Sequence, residues 1–118
     1  MPHVTAEYSQ NLADNVDIRQ LIQELHETMI GTGLFEVATI RTRAEPRAIY
    51  IVADGRPENV FLQVIARIRP GRSVEDRKRV GEALLTTCKR ALAALPRVAI
   101  GVEIHELDPE MLFRHMTV

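Results

Sequence analysis

The chain has 118 residues, 46% hydrophobic and 26% charged, with a formal net charge of -1. That size and balance describe one globular domain, and they exclude a disordered or collagen-like chain, a membrane span and a global basic field for nucleic acid. The single cysteine, Cys88, excludes an internal disulfide and a cysteine-built zinc cage.

The N-terminus, Met-Pro-His-Val-Thr-Ala-Glu, has neither the basic nor the apolar region of a secretory signal, which predicts a cytoplasmic protein. Residues 2 to 9 then alternate, with Pro2, Val4, Ala6 and Tyr8 on one side and His3, Thr5, Glu7 and Ser9 on the other. That is the pattern of a half-buried strand. Asn11 to Asp17 supplies loop and N-cap residues. Ile18, Leu21, Ile22, Leu25 and Met29 follow at helical spacing, and Gly31 and Gly33 stop the helix. Ala38 to Ala44 reads as a second strand, with Arg41 and Arg43 on one face.

Ile49 to Val52 reads as a short apolar strand closed by the Asp54-Gly55 turn. The second half repeats the order of the first. Val60 to Arg69 alternates as a long strand and ends in a Pro70-Gly71 turn. Ser73 caps a helix, with Asp76 where a capping box places its acid. Val80, Leu84, Thr87, Cys88, Ala91, Leu92 and Leu95 form the buried stripe of that helix, and Cys88 on it is expected to be a packed core thiol. Val98, Ile100, Val102 and Ile104 alternate as the last main strand, and Pro109 opens a tail with one helical turn.

Two strand–helix–strand units, about 2–45 and 59–106, imply an α+β fold in one domain spanning 1–118. Two right-handed crossovers would give a four-stranded main sheet with both helices on one face. The other face is expected to be apolar enough to need cover from further subunits. With five aromatic residues and no tryptophan the core must be small and aliphatic, and such chains often gain stability by oligomerising.

Basic residues are unequally shared: thirteen arginines against two lysines. Compositional bias accounts for that by itself, but arginine also supplies a fixed, bidentate grip on carboxylates. Arg41 and Arg43 flank Thr42 and leave one strand face together, either as a solvated face or as a paired anion grip. Arg72 stands at the start of a helix, where free backbone N–H groups favour an anion. Pro2 follows a methionine of the kind normally trimmed before a small residue. Trimming would free a secondary amine whose basicity apolar surroundings and nearby cations can lower toward working pH. Proline at this position alone usually signifies nothing; a base beside several arginines describes proton transfer on a polycarboxylate. His3 points to the opposite face and reads as a surface histidine. His26 and His105 lack paired ligand spacing, so no metal site is expected. Glu7, Glu103 and Glu106 are candidates to pair with arginines across the sheet.

The opening Pro2-His3, the segment Thr32-Gly33-Leu34-Phe35 leading to Ile40-Arg41-Thr42-Arg43, and the turn Ala53-Asp54-Gly55 resemble the 5-carboxymethyl-2-hydroxymuconate isomerase family. So do Gly71-Arg72-Ser73-Val74-Glu75 with Arg77 and Gly81-Glu82, and the ending Glu103-Ile104-His105-Glu106-Leu107. The matches are short but stand in the same order along nearly the whole chain. The resemblance implies a tautomerase-superfamily fold of paired β-α-β units in a homotrimer, with no metal or organic cofactor. It implies an isomerase of homoprotocatechuate breakdown that moves a proton from the 2-hydroxyl of a dienol to a distant carbon. Pro2 would shuttle that proton. Arg41 and Arg72 would bind carboxylates and steady the oxyanion, with Arg43 as a neighbouring substrate-binding arginine. The expected partners are a small polycarboxylate and copies of the chain, with no nucleic acid and no membrane. Two alternatives remain: a related tautomerase for another 2-hydroxy-dienoate or keto acid, and a non-catalytic trimeric anion-binding module.

Overall fold

A computed structural model describes residues 1–118. β1 (His3–Ser9), α1 (Ile18–Gly31) and β2 (Arg41–Arg47) form the first unit, and β3 (Val60–Ile68), α2 (Val74–Ala91) and β4 (Val98–Glu106) form the second. The sheet order is β2-β1-β3-β4. β1 and β2 are parallel, as are β3 and β4, and β1 and β3 join the halves antiparallel. No helix is long and apolar enough to cross a membrane.

The helix starts follow their caps. Asp17 accepts from the Gln20 backbone N–H at 3.1 Å, and Ser73 accepts from that of Asp76 at 3.1 Å. Each cap satisfies a donor that the first helical turn would otherwise leave unpaired. Val4, Ala6 and Tyr8 of β1 and Val60, Leu62, Val64 and Ala66 of β3 alternate onto the core side. There they meet Leu21, Leu25 and Met29 of α1 and Val80, Leu84 and Cys88 of α2. Cys88 is fully buried, and burial pushes its thiol up to about 11, so it is a core residue rather than a nucleophile. The two helices touch each other through the hydroxyls of Thr28 and Thr87, 2.6 Å apart.

Three expectations change. The second strand begins at Arg41 rather than Ala38, because Val37–Thr39 winds into a 3-10 turn in which Thr39 bonds the Glu36 carbonyl through both its N–H and its hydroxyl. It also runs on to Arg47; Pro46 is tolerated because β2 is an edge strand. Ile49 to Val52 is not a strand. No strand of the chain flanks it, and Ile49 and Ile51 are 98% and 87% exposed on a long loop. That loop is pinned at its far end by Asn59, which donates to Val52 O at 2.9 Å and Asp54 Oδ1 at 2.7 Å and accepts from Arg97 Nε at 2.6 Å.

The third change concerns the helix-free face of the sheet, which is charged rather than apolar. His3, Arg41, Arg43 and Arg67 crowd one end and Glu7, Glu45 and Arg47 the other, with Ile65 between them and Phe61 beside Ser9 at the far end. The apolar alternation of β1 and β3 is real, but it describes the side the helices cover.

Candidate active site

One end of the sheet gathers most of the residues singled out in the sequence. β1 and β2 begin there, and β3 and β4 finish there. The tail after β4 is tied to this end by the Leu107 N–H, which donates to Ile68 O at 2.8 Å.

Pro2 is fully buried, on the same side as Val4 and Ala6, and its carbonyl accepts from the Arg41 N–H at 3.1 Å. The Met1 ammonium donates to the Thr39 carbonyl at 3.0 Å, and Arg41 Nη1 donates to the same oxygen at 3.1 Å. Burial favours the neutral form of that terminal amine, and the positive charges of Arg114, Arg41 and Arg69 add to the effect, so its pKa lies below the ordinary value of 8.0. Partial burial and nearby positive charge therefore act together on the amine at this chain end. With Met1 in place the Pro2 nitrogen itself is an amide, without basicity.

Arg43 stands farther along β2 and points to His3, with Nη1 and Nδ1 3.2 Å apart. The guanidinium has only donors, so the histidine nitrogen accepts and its proton sits on Nε2. His3 is held below its ordinary 6.5 by burial first and then by Arg43, the terminal ammonium, Arg41 and Arg67.

Arg72 is half-buried beside the Thr32–Phe35 segment. Its Nη2 donates to Leu34 O at 2.9 Å and its Nη1 to Arg69 O at 3.5 Å, and the guanidinium lies 4.3 Å from the centroid of the Phe35 ring. Arg79 holds the same segment by donating to Thr32 O at 2.7 Å. Gly71 turns the chain at φ +111°, a region that only glycine enters freely, and so sets Arg72 back across Leu34. Arg72 is thus fixed in place with donors to spare, whereas Arg41 is the predicted arginine bound directly at the N-terminus.

Two further cations belong to this end. Arg69 was legible in the period-two alternation of β3, which puts residues 65, 67 and 69 on the helix-free face. Arg114 lies in the irregular tail, where no sequence pattern points to it. The expected carboxylate pairs divide. Glu7 binds Arg47 at 2.9 Å and Glu106 binds Arg77 at 3.0 Å, whereas Glu103 holds Gln63 and His105 rather than an arginine. His26 meets Thr42 at 2.9 Å, and no three His, Cys, Asp or Glu residues are grouped to hold a metal ion.

A family model described as 5-carboxymethyl-2-hydroxymuconate isomerase matches residues 2–118. The chain is 33% identical to the 5-carboxymethyl-2-hydroxymuconate Delta-isomerase of Escherichia coli, over 100% of its own length and 96% of that protein. The crystal structure of a 5-carboxymethyl-2-hydroxymuconate isomerase from Deinococcus radiodurans R1 superposes with a TM-score of 0.88 at 30% identity, covering 97% of this chain and 88% of the other. A fused 4-OT, a wild-type symmetric trimer, shares the fold with a TM-score of 0.68 at 18% identity, over 93% and 91% of the two chains. Likeness at this level, over the full length and in the order of the quoted motifs, makes the chain a member of the 5-carboxymethyl-2-hydroxymuconate isomerase family.

Proposed function

We propose that the chain is a cofactor-independent isomerase converting 5-carboxymethyl-2-hydroxymuconate to its unsaturated ketone, within cytoplasmic homoprotocatechuate breakdown. The observation that supports this reading is the part-buried N-terminal amine, which shares the Thr39 carbonyl with Arg41 and feels the positive charges of Arg114 and Arg69. Removal of Met1 transfers that setting to the secondary amine of Pro2. The amine takes the 2-hydroxyl proton, the electron pair shifts along the diene, and the resulting prolyl ammonium returns the proton to the distant carbon. No atom is gained or lost.

The dienolate between the two proton transfers carries an extra negative charge. Arg41 and Arg72 supply fixed guanidinium groups for that charge and for the carboxylates, and being already oriented they need no reorganisation as the charge develops. Arg43 adds positive field from the neighbouring position on β2. The same cations disfavour protonation of Pro2, so one set of charges binds substrate, steadies the intermediate and tunes the base.

A homotrimer is the assembly that fits. The exposed Ile49, Ile51 and Phe113 are apolar surface that a monomer leaves in water, and the structurally similar fused 4-OT is a symmetric trimer.

Following ketonisation by ultraviolet absorbance with protein of verified intact mass tests the reading. Fast turnover of 5-carboxymethyl-2-hydroxymuconate over 2-hydroxymuconate is expected. Absence of turnover by Met1-free protein would overturn it. A second reading rests on the amide at Pro2 when Met1 is retained: in that form the arginine cluster binds anions without transferring a proton.

A further inference from the structure

The antiparallel register of β1 and β3 sets His3 opposite Arg67. Extended by two residues past the strand ends, the same register would bring Met1 level with Arg69, whose charge acts on the terminal amine. On the other flank, the parallel register sets His3 beside Arg41, and Arg41 shares the Thr39 carbonyl with the Met1 ammonium. Arg41 and Arg69 therefore bracket the N-terminus from the two strands that neighbour β1. Two strand spacings across the sheet and two residues along it separate their backbones, roughly 12 Å.

Arg69 is exposed and has no carboxylate within 4.0 Å; the arginine ion pairs of the chain are made by Arg47, Arg56, Arg77, Arg79 and Arg97. Its backbone is tied in place, because its carbonyl accepts from Arg72 across the Pro70-Gly71 turn. It is thus an unpaired cation just past the end of β3, joined through its carbonyl to Arg72 and close enough to the terminal amine for its charge to act there. Arg43 is already engaged with His3, and Arg114 lies on the tail outside any helix or strand.

The proposed substrate has three carboxylates, and Arg41 and Arg72 account for two. We propose that Arg69 is a specificity-determining residue that binds the carboxylate of the carboxymethyl arm, selecting tricarboxylate over dicarboxylate dienols. This inference rests on the isomerase reading above. A guanidinium selects in this way because only a substrate that carries the arm gains the charge-assisted contact.

The test compares kcat/KM for 5-carboxymethyl-2-hydroxymuconate and 2-hydroxymuconate in the wild type, Arg69→Ala, Arg69→Lys and the remote control Arg19→Ala. Arg69→Ala is expected to lose at least ten-fold more on the first substrate than on the second. Arg69→Lys should lose less selectivity than Arg69→Ala, and Arg19→Ala should lose none. Equal losses on both substrates, or no loss on either, would overturn the assignment.

If the wild type turns over neither substrate, the isomerase reading fails and Arg69 is judged by binding alone. Calorimetric titration with tricarballylate and glutarate should then show a tricarboxylate preference that Arg69→Ala abolishes. A preference that survives the substitution, or no preference in the wild type, overturns the assignment.

Discussion

Met1 and Arg41 share one acceptor: the Thr39 carbonyl receives the terminal ammonium at 3.0 Å and the guanidinium at 3.1 Å. The two positive groups are held together by an oxygen that the 3-10 turn of Val37–Thr39 leaves free. Loss of Met1 removes one claimant and turns the Pro2 nitrogen from an amide into an amine.

Processing should therefore switch the activity on. Protein of Met1-free mass is expected to be active and protein retaining Met1 inactive. Pro2→Ala in the processed form should lower kcat by about 10² to 10⁴-fold, the usual contribution of a positioned base. Undiminished turnover by processed Pro2→Ala would exclude the proline mechanism.

Arg41→Ala and Arg72→Ala should each lower kcat/KM on 5-carboxymethyl-2-hydroxymuconate by about 10² to 10³-fold, the scale of losing one fixed donor to a developing oxyanion. The loss should be smaller on a monocarboxylate such as phenylenolpyruvate. Arg72→Ala also gives up the Leu34 hydrogen bond and the stacking on Phe35, so its melting temperature should fall further than that of Arg41→Ala. Equal losses on both substrates would contradict a carboxylate-binding role.

His3 offers a titration with a definite sign. Its folded pKa is below its ordinary 6.5, so the folded chain prefers the neutral ring and binds fewer protons than the unfolded chain. Stability from this group is complete above pH 6.5 and declines as pH falls through the folded pKa. Arg43→Gln removes the positive charge 3.2 Å from the ring, and the His3 pKa followed by NMR should rise. An unchanged or lower value would show that Arg43 does not act on the ring.

Asn59 tests what holds the exposed loop. It is buried, bridging Val52 and Asp54 to Arg97 at the start of β4. Asn59→Ala strands those partners and should cost about 1 to 3 kcal/mol in denaturant unfolding at fixed protein concentration. Isomerase kcat should change little, because the site lies at the opposite end of the sheet.

Much of this architecture was legible because its signals are local and periodic. The even positions of β1 and β3, the stripe of α2 and the caps Asp17 and Ser73 each declare themselves within a few residues. Ile49 to Val52 has the composition of a strand, but pairing depends on an available sheet edge, which composition does not encode. The start of β2 shifted because Thr39 turns its hydroxyl and N–H back onto Glu36, a choice invisible in the apolar pattern. At the candidate site, the joint placement of Pro2 and Arg41 follows from parallel pairing of β1 and β2. The nearness of Arg114 to the amine depends on the path of an irregular tail, and nothing in the spacing could have foretold it.

The antiparallel junction of β1 and β3 also bears on how such a chain arises. Each half is a complete β-α-β unit, and a unit of that kind leaves both outer strand edges unpaired and one helix flank uncovered. Two separate half-length chains could cover the inner edge and the flank by pairing as the halves do here, β1 beside β3 and Thr28 against Thr87. The loop through Ile49 and Ile51 then supplies the covalent link between the halves. Cutting it should leave two fragments able to reassemble, and the fold is already partitioned in the way a gene duplication would require.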